Sequence, residues 1–562
     1  MSYYLITSAL PYINGIKHLG NLVGSMLPAD LYARHLRQQG ERVLYICGTD
    51  EHGTPAELAA RAKGVEVKSF CEDMYARQKE IYERFNLSFD YFGRSSNNTN
   101  HKITQEVFLA LEKNGFIEEK EVEQYYSEQD GRYLPDRFVT GICPHCGDTG
   151  ARGDQCEACG RLLDPKDLIQ PRSSISGAQD LEFRKSKHLF LKLSTLQARL
   201  EQWVKTKETW PTTTRGIAKK WFKEGLEDRC ITRDTAWGVP VPKQGYEGKR
   251  FYVWFDAPMA YIAMTKDWAE ATGEQDQWRN WWCGNEAVTY DQFMAKDNVP
   301  FHAIFWPAMV LGSELGFKMP DHINGVNWLT YEGGKFSTSN NRGIFTDQAL
   351  EEFDADYWRY YLASVMPETS DSDFTFVHFA QTINADLVNN LGNFVSRACT
   401  LIVKNFDGKL EKISPEFADS HCNEFNRANE LLDNIDQYLR NKKILKAVTE
   451  IKALWSYGNE YITANQPWKL VKTDKQKAHD VLAFCFHLIK ISFVASNSLI
   501  PSTSQNIVNQ IGCDLELKNT SFEQAKSFIN FDRAVIVKKP KKLFSKISEE
   551  EVQVLNDKYG CG

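Results

Sequence analysis

The chain has 562 residues, 42% of them hydrophobic, which is enough for more than one domain with a substantial core. Its formal net charge of -7 excludes a chain that is basic overall, although a local basic face for nucleic acid is compatible with that sum. The 13 cysteines are an odd number scattered along the chain, which indicates a reducing compartment. We expect a cytoplasmic protein, because the N-terminus resembles no signal segment and the apolar stretch 481–500 carries too many polar residues for a membrane span.

Residues 3–31 combine signals for a strand, a turn and a helix. An apolar run predicts a buried parallel strand, a proline, an asparagine and a glycine predict a turn, and apolar residues at helical spacing follow. Such a unit presents backbone N–H groups to phosphate. His18 and Asn21 fall in the first turn of the helix with Gly20 between them, so both side chains can face one anion. Taken alone, such a unit is more often scaffold than a nucleotide site.

A second buried strand is predicted over residues 42–47, followed by Asp50 and His52. Ligands bind at the carboxyl ends of strands in open α/β sheets, which favours a functional site at this point. An aspartate that caps a helix is the ordinary alternative. Residues 65–86 then predict an amphipathic helix.

Four cysteines between residues 114 and 220 have the spacing C-x2-C-x9-C-x2-C. Two such pairs can surround one tetrahedral zinc ion, and disulfides are not expected without a secretory context. Four thiolates leave no open position for water, so we assign the metal a structural role. His145 lies inside the first pair, where a solvent-facing position is more typical than ligation. The predicted ligands are Cys143, Cys146, Cys156 and Cys159.

From residue 221 the α/β pattern resumes, and residues 251–256 predict a strand followed by a helix. Four side chains in this region are large or aromatic, and composition alone favours an aromatic core over a binding pocket. They are Trp254, Tyr261, His302 and Trp306.

Residues 333–339 read GGKFSTS, which on composition is an ordinary surface loop. After residue 371 helical periodicity is continuous to about residue 531 and predicts an all-α bundle. In this bundle Asn393 and Arg397 are four residues apart on one helix face, and Trp468 follows a helix-breaking proline. Single-stranded RNA loops are recognised by stacking on such aromatics beside Arg and Asn, although a buried tryptophan with a solvated arginine is the alternative.

These motifs, in this order, resemble those of the methionyl-tRNA synthetase family of class I aminoacyl-tRNA synthetases. LPYINGIKHLGN resembles the HIGH motif and KFSTS the KMSKS loop, and GTDEHGTP, FYVWFDAP, KDNVPFH, NFVSR and NQPW resemble further segments of the family. The resemblance implies an α/β fold: a Rossmann-type nucleotide-binding catalytic domain with a zinc-knuckle connective insertion, followed by an all-α anticodon-binding bundle. The implied boundaries are 1–115 and 221–325 for the catalytic halves, 116–220 for the insertion, 326–378 for the loop and linking region, 379–535 for the bundle, and 536–562 for a tail helix that packs on the catalytic domain.

The resemblance also implies a role for individual residues of this chain. The catalytic group is His18, Asn21, Lys335 and Arg233; the methionine group is Leu10, Tyr12, Asp50, Trp254, Tyr261, His302 and Trp306; the ATP group is Asn14, Gly20, Asp297, Ser337 and Thr338; and the anticodon group is Asn393, Arg397 and Trp468. Asp50 resembles the residue that holds the α-ammonium group of the substrate.

Three positions depart from the family pattern. Asn21 replaces the second histidine of HIGH and cannot become cationic, and Thr338 replaces a lysine of KMSKS without its charge. Either Arg342 supplies that charge or Lys335 acts alone. Ala295 stands where the family often has glycine, and its methyl group would narrow the approach to the ribose.

The implied activity is ATP-dependent activation of L-methionine and its transfer to tRNA(Met), with one structural Zn²⁺ and with Mg²⁺ accompanying ATP. We expect a monomer, because no appended oligonucleotide-binding domain follows the bundle. Two alternatives stay open: a class I synthetase for another apolar amino acid, which would usually carry a large editing insertion, and a tRNA-binding paralogue without catalysis. An apolar pocket separates near-isosteres by only ~1–3 kcal/mol, so homocysteine is the expected competitor.

Overall fold

A five-stranded sheet forms the centre of the N-terminal half in the computed structural model, which describes residues 2–153, 156, 158–159, 161, 163–284, 287–337, 342–513, 515–527 and 534–560. All neighbouring strands are parallel. The strand order reverses between Tyr3–Ser8 and Val288–Ala295, and ligands bind in the crevice at such a reversal. In sheet order the strands are His322–Val326, Val288–Ala295, Tyr3–Ser8, Arg42–Thr49 and Tyr91–Arg94.

Helices cover this sheet, and the two strands predicted from residues 3–6 and 42–47 are confirmed. The predicted strand over residues 251–256 is wrong: only Arg250–Phe251 is strand, and Val253–Asp256 is a short helix. A short run of buried apolar residues suits either element, and the place beside Tyr3–Ser8 is taken by Val288–Ala295. The covering helices are Leu27–Gln38, Thr54–Ala62, Val67–Arg84, Asn98–Lys113, Ala260–Ala271, Trp278–Trp282 and Trp306–Ser313.

The insertion between the catalytic halves is built on two long antiparallel strands. Ile117–Ser127 pairs with Leu181–Leu191 along its whole length, and a smaller sheet beyond them carries the cysteines. Two helices, Leu193–Lys205 and Thr212–Glu224, lead back to the core. The shorter strands are Arg132–Tyr133, Val139–Ile142, Ala151–Arg152, Ile169–Ser173, Arg229–Cys230, Thr232–Arg233 and Arg250–Phe251.

A helical bundle follows the linking region, as the periodicity after residue 371 predicts. Its central helix, Lys475–Ser496, has the length and hydropathy of a membrane span, but 94% of its apolar window is buried inside the protein. The linking region contains Leu329–Tyr331, Gly334–Lys335, Thr346–Glu352, Ala355–Ser364 and Ser372–Phe374. The bundle contains Phe376–Thr382, Ile383–Gly392, Asn393–Phe406, Pro415–Ser420, Cys422–Arg440, Ile444–Asn465, Pro467–Thr473, Lys475–Ser496, Pro501–Gln510 and Phe522–Lys526, with the strands Lys409–Leu410 and Val535–Ile536.

One buried ion pair joins the linking region to the nucleotide-binding half. Arg359 is fully buried, and its Nη2 lies 2.6 Å from Oδ2 of Asp30 on the helix that follows the first strand. The same guanidinium donates to the carbonyls of Ser498 and Phe85, so its hydrogen-bonding capacity is used across three parts of the chain. The last helix, Glu549–Tyr559, lies against the linking region, where the Tyr331 hydroxyl donates to its final carbonyl at 2.7 Å.

Candidate active site

A cavity of about 250 Å³ opens where the strand order of the central sheet reverses. The cavity lies at the carboxyl ends of the strands Tyr3–Ser8 and Val288–Ala295. Residues 327–329, 335 and 336 also line it. The predicted residues that line it include His18, Gly20, Asn21, Asp297 and Lys335. Both predicted phosphate-contacting motifs, about 300 residues apart in sequence, therefore meet in one cavity.

His18 and Asn21 bind each other in a reciprocal cap at the start of the short helix Leu19–Asn21. The Asn21 backbone N–H donates to Nδ1 of His18 at 3.2 Å, and the His18 N–H donates to Oδ1 of Asn21 at 3.3 Å. With Nδ1 accepting, the neutral ring carries its proton on Nε2. Burial, with the nearby Lys17 charge, lowers the pKa of His18 to about 3, so the ring is a neutral donor. The Asn21 amide likewise keeps its NH₂ group for an anion.

Phe336 brings the downstream loop into direct contact with the first motif. Its ring stacks on His18 with 4.7 Å between centroids. A Cβ on Gly20 would lie 3.0 Å from both His18 Nδ1 and Phe336 Cδ2, so a side chain at this position would push the two rings outward. Behind them, the Thr346 N–H donates to the Lys17 carbonyl at 2.8 Å. The two motifs are thus packed as one unit.

The KFSTS segment starts a hairpin that is closed by two backbone hydrogen bonds between Ser337 and Arg342, of 3.1 and 2.9 Å. The Arg342 Nη2 donates to the carbonyls of Tyr331 and Glu332, which lie just before the KFSTS segment. Lys335, by contrast, lines the cavity. Thr338 lies outside the described residues, and Ser337 is at the edge of the hairpin rather than in the cavity lining.

Asp50 is a buried carboxylate with an unmet hydrogen-bonding oxygen. Two backbone hydrogen bonds of 2.9 Å, to Pro11 and Ile13, hold it beside Tyr12, and it is 3% exposed. Among the described residues its Oδ1 has no partner. Burial, reinforced by the neighbouring carboxylates of Asp256 and Glu51, raises the pKa of Asp50 well above its ordinary value. A cationic ligand would give Oδ1 a partner and would favour the charged form of the carboxyl group.

Tyr261 and His302 form an oriented polar pair beside this carboxylate. His302 Nδ1 donates to the Asn298 carbonyl at 3.0 Å, which leaves Nε2 to accept from the Tyr261 hydroxyl at 3.1 Å. Burial raises the pKa of Tyr261 well above its ordinary value, and the nearby Leu10 backbone N–H acts against that rise. Burial lowers the pKa of His302 to about 4, so the ring is neutral and its acceptor role is fixed. Leu10 also lines the cavity, which connects this pair to it.

The two tryptophans of the predicted methionine group occupy different places. Trp254 stacks on Phe301 at 3.5 Å and meets the edge of Tyr12 at 6.1 Å, next to the polar pair. Trp306 is fully buried behind Tyr261, at 6.4 Å between centroids, in an aromatic core cluster. Trp254 therefore fits the interpretation as part of a binding pocket, whereas Trp306 fits the interpretation as part of an aromatic core.

Asn14 and Arg233, which the resemblance assigns to ATP binding and catalysis, do not line the cavity. The Asn14 side-chain oxygen accepts from Lys17 at 2.7 Å, and burial lowers the pKa of that lysine to about 7. Arg233 lies over the Tyr252 ring at 4.1 Å and lines a separate cavity of about 200 Å³ beside the insertion. Neither residue is brought to the phosphate side by the structure.

Ala295 does face the cavity, as the departure from the family pattern suggests. Its Cβ would be 3.3 Å from a Cβ placed on Gly24, so the methyl group fills space on the wall formed by the first helix. Trp328, which sequence analysis missed, forms the opposite wall. The ammonium groups of Lys335 and Lys296 lie 4.4 and 4.2 Å from its ring centroid. Nothing in its local pattern distinguished this tryptophan from others.

The four predicted metal ligands converge in the insertion. All their sulfur atoms lie within 4.8 Å of one another, with 3.9 Å between Cys143 and Cys159 and 3.6 Å between Cys146 and Cys156. One ion can therefore reach all four. His145 is exposed, and its Nδ1 is 3.0 Å from an Arg161 nitrogen.

The three predicted anticodon residues also lie together, on the surface of the bundle. The Arg397 guanidinium is 5.8 Å from the Trp468 ring, and both Arg397 and Asn393 donate to the Asn459 side-chain oxygen. Trp468 is 36% exposed, which is unusual for so large a ring. The group combines an accessible stacking face with oriented polar donors.

The parallel sheet, with the two predicted phosphate-contacting motifs packed together at its reversal, fits the class I aminoacyl-tRNA synthetase fold that the motifs resemble. Comparison with known proteins agrees. Residues 4–399 match the family model for class I tRNA synthetases (M), and residues 415–562 match the anticodon binding domain of methionyl tRNA ligase. The chain belongs to the methionyl-tRNA synthetase family.

Relatives match along their whole length. The methionine–tRNA ligase 1 of Acaryochloris marina is 51% identical over 560 residues, with 99% of each chain covered. The methionine–tRNA ligase of Streptomyces avermitilis is 48% identical, covering 100% of this chain and 99% of that protein. A crystal structure of Mycobacterium tuberculosis methionyl-tRNA synthetase bound by methionyl-adenylate has the same fold, with a TM-score of 0.78 at 23% identity over 97% of this chain and 100% of that one.

Proposed function

We propose that this protein activates L-methionine with ATP, releasing pyrophosphate, and transfers the methionyl group from the adenylate to the 3′ end of tRNA(Met). One observation carries the proposal beyond family membership. Asp50 is a buried carboxylate whose Oδ1 has no described partner, and it is close enough to Tyr261 of the oriented Tyr261–His302 pair to interact electrostatically with it. Its backbone N–H donates to Pro11, which lines the cavity that holds both motifs. This arrangement offers separate places for an α-ammonium group, an apolar side chain and a triphosphate.

In the first step an oxygen of the methionine carboxylate attacks the α-phosphorus of ATP and the bond to the pyrophosphate oxygen breaks. The protein's work is positioning and charge stabilisation. His18 donates from Nε2 and Asn21 from its amide to phosphate oxygens, while Lys335 faces the charge that develops on pyrophosphate. Asp297 accepts from ribose hydroxyls. In the second step a terminal ribose hydroxyl of tRNA attacks the methionyl carbonyl and AMP leaves.

Methionine offers the pocket a polarizable thioether and little else. The neutral His302 ring holds the Tyr261 hydroxyl as a donor toward Nε2, so no free charge opposes an apolar side chain. Trp254 and Leu10 supply shape and soft aromatic contact. Since one methylene changes selectivity by ~1–3 kcal/mol, we expect homocysteine to be activated measurably.

The cysteine cluster fits zinc. A tetrahedral ion with bonds of about 2.3 Å to sulfur requires sulfur–sulfur distances of about 3.8 Å, close to the 3.6 and 3.9 Å found here. Cys143, Cys146, Cys156 and Cys159 would hold one structural Zn²⁺ that ties the tip of the insertion together. Mg²⁺ would enter with ATP, bound mainly by phosphate oxygens and water.

The surface group of Asn393, Arg397 and Trp468 is proposed to bind the anticodon. An exposed indole stacks one unpaired base, and the neighbouring donors contact base edges. We also propose that the protein is a monomer and that it works in the cytoplasm. Its free cysteines, among them the buried thiols of Cys47 and Cys71, support the cytoplasmic location because they suit a reducing compartment.

Amino-acid-dependent ATP–pyrophosphate exchange tests this function and separates it from the alternatives. Exchange is expected with methionine and about 5- to 150-fold less with leucine, isoleucine and valine at equal concentration, as a pocket difference of ~1–3 kcal/mol implies. Preferential exchange with another apolar amino acid would reassign the substrate. No exchange with any of them, from folded metal-replete protein, would leave a tRNA-binding paralogue.

A further inference from the structure

Trp328 contacts both the KFSTS lysine and the aspartate proposed to bind ribose. The Lys335 ammonium lies 4.4 Å from the centroid of the Trp328 ring, and the Nε1–H of Trp328 donates to Oδ1 of Asp297 at 3.2 Å. The backbone N–H of Trp328 donates to Asp371 at 2.9 Å, and Asp371 pairs with Lys296, whose ammonium lies 4.2 Å from the same ring. The indole is therefore fixed at its backbone, its edge and its face.

Lys335 needs such a contact because its side chain is long, exposed and flexible. Among the described residues no carboxylate lies within ion-pair distance of its ammonium, so the indole face fixes its position. Arg342 is committed to the carbonyls of Tyr331 and Glu332. With a threonine at 338, the lysine at 335 is the cation that this segment directs into the cavity.

We propose that Trp328 is a positioning residue for adenylate formation: its ring holds the Lys335 ammonium at the pyrophosphate side of the cavity, and its N–H orients Asp297 toward the ribose. The proposal rests on the function proposed above. A cation is held most strongly by the face of tryptophan, and a fixed charge stabilises a transition state better than a mobile one.

Two substitutions separate the two contacts. Trp328→Phe keeps an aromatic face for Lys335 but removes the N–H that reaches Asp297, whereas Trp328→Leu removes both. We expect Trp328→Leu to lower kcat of methionine-dependent exchange by about 2- to 30-fold, the range of a cation–π contact, with little change in the methionine KM. Trp328→Phe is expected to keep most of kcat and to raise the ATP KM severalfold.

The lysine supplies the decisive background. If the ring acts through Lys335, then Trp328→Leu causes no further loss of kcat in a Lys335→Ala protein. Trp221→Leu is the matched control, because Trp221 also carries a cation contact, from Arg229 at 5.3 Å, but lies on a helix outside the cavity. That variant should match the wild type in exchange.

Thermal unfolding of each variant checks the fold. Independent, additive losses from Trp328→Leu and Lys335→Ala, or equal losses from the Phe and Leu variants, would overturn the proposal and make Trp328 a packing residue. If the Leu variant does not fold, an unchanged ATP KM in Trp328→Phe overturns it on its own. Absence of exchange in the wild type would instead overturn the proposed function.

Discussion

Replacing Asp50 by asparagine is expected to weaken methionine binding while stabilising the fold. The carboxylate is 3% exposed, and its Oδ1 has no partner among the described residues. Its surroundings disfavour the charge, since burial and then the carboxylates of Asp256 and Glu51 raise its pKa, with Lys17 and a backbone hydrogen bond from His52 opposing them. A ligand ammonium group would supply the missing partner. The substitution removes the charge with little change in shape.

The size of the binding effect follows from the geometry. Two unit charges about 4 Å apart attract by about 4 kcal/mol at an effective dielectric constant near 20. Asparagine can still accept a neutral hydrogen bond of about 1 kcal/mol. The difference of about 3 kcal/mol corresponds to a roughly 150-fold higher methionine KM in ATP–pyrophosphate exchange. The KM for ATP should stay close to that of the wild type.

The stability effect has the opposite sign. Because the folded-state pKa of Asp50 lies above its ordinary 3.8, ionisation costs the folded state stability as the pH rises above about 4. Asparagine does not ionise, so Asp50→Asn should have the higher Tm at pH 7. That advantage should vanish as the pH falls below 4, where the wild-type carboxyl is protonated in both states.

Asp356→Asn is the matched control. Asp356 is also buried, its Oδ1 also lacks a described partner, and burial raises its pKa, but it lies on a linking-region helix and accepts from Thr503. It should change Tm without changing the methionine KM. A methionine KM in Asp50→Asn within about threefold of the wild type, against the ~150-fold expected from the lost charge, would refute the assignment of Asp50 to the ammonium group.

Four further outcomes are expected. His302→Leu should lower kcat/KM for methionine by about 10- to 100-fold, measured by exchange, because a neutral oriented ring of the pocket is lost. Since His18 and His302 have pKa values of about 3 and 4, neither imidazole gains a proton between pH 8 and 6, and neither should lower the exchange rate in that range. An inflection of the rate near pH 6.5 that His302→Leu removes would contradict this. In aminoacylation assays, the increase that Arg397→Gln causes in the KM for tRNA should be about ten times the increase in the KM for ATP. Cys146→Ser should release the bound metal, measured by elemental analysis, and lower Tm; full metal content in that variant would argue against four-sulfur ligation.

Local patterns were sufficient for much of this chain. The strands and helices around residues 3–31 and 42–47, the cysteine spacing and the bundle helices could all be predicted, because each depends on neighbours within a few turns of chain. The residues of the first motif needed only one strand, one turn and one helix start to be placed. The buried helix Lys475–Ser496 was identified by its interrupting polar residues.

The tertiary structure decided which residues meet. The strand Val288–Ala295 takes the place beside Tyr3–Ser8, and no pattern within residues 251–256 could reveal that this place was filled. The tertiary structure also places Trp306 behind Tyr261, and it places Arg233 in a separate cavity. The family resemblance implies a site role for both residues. Such placements depend on packing between segments far apart in sequence, whereas spacing records only neighbours along the chain.

Trp328 shows the same limit at the site itself. The sequence determined that a large amphipathic ring precedes the KFSTS segment. Only the fold placed Lys335 over the face of the Trp328 ring and Asp297 at the edge of that ring. The residue types of the catalytic groups were thus readable from the chain. Their mutual orientation was not, because a side chain's partners are fixed only when the sheet, the hairpin and the first helix pack together.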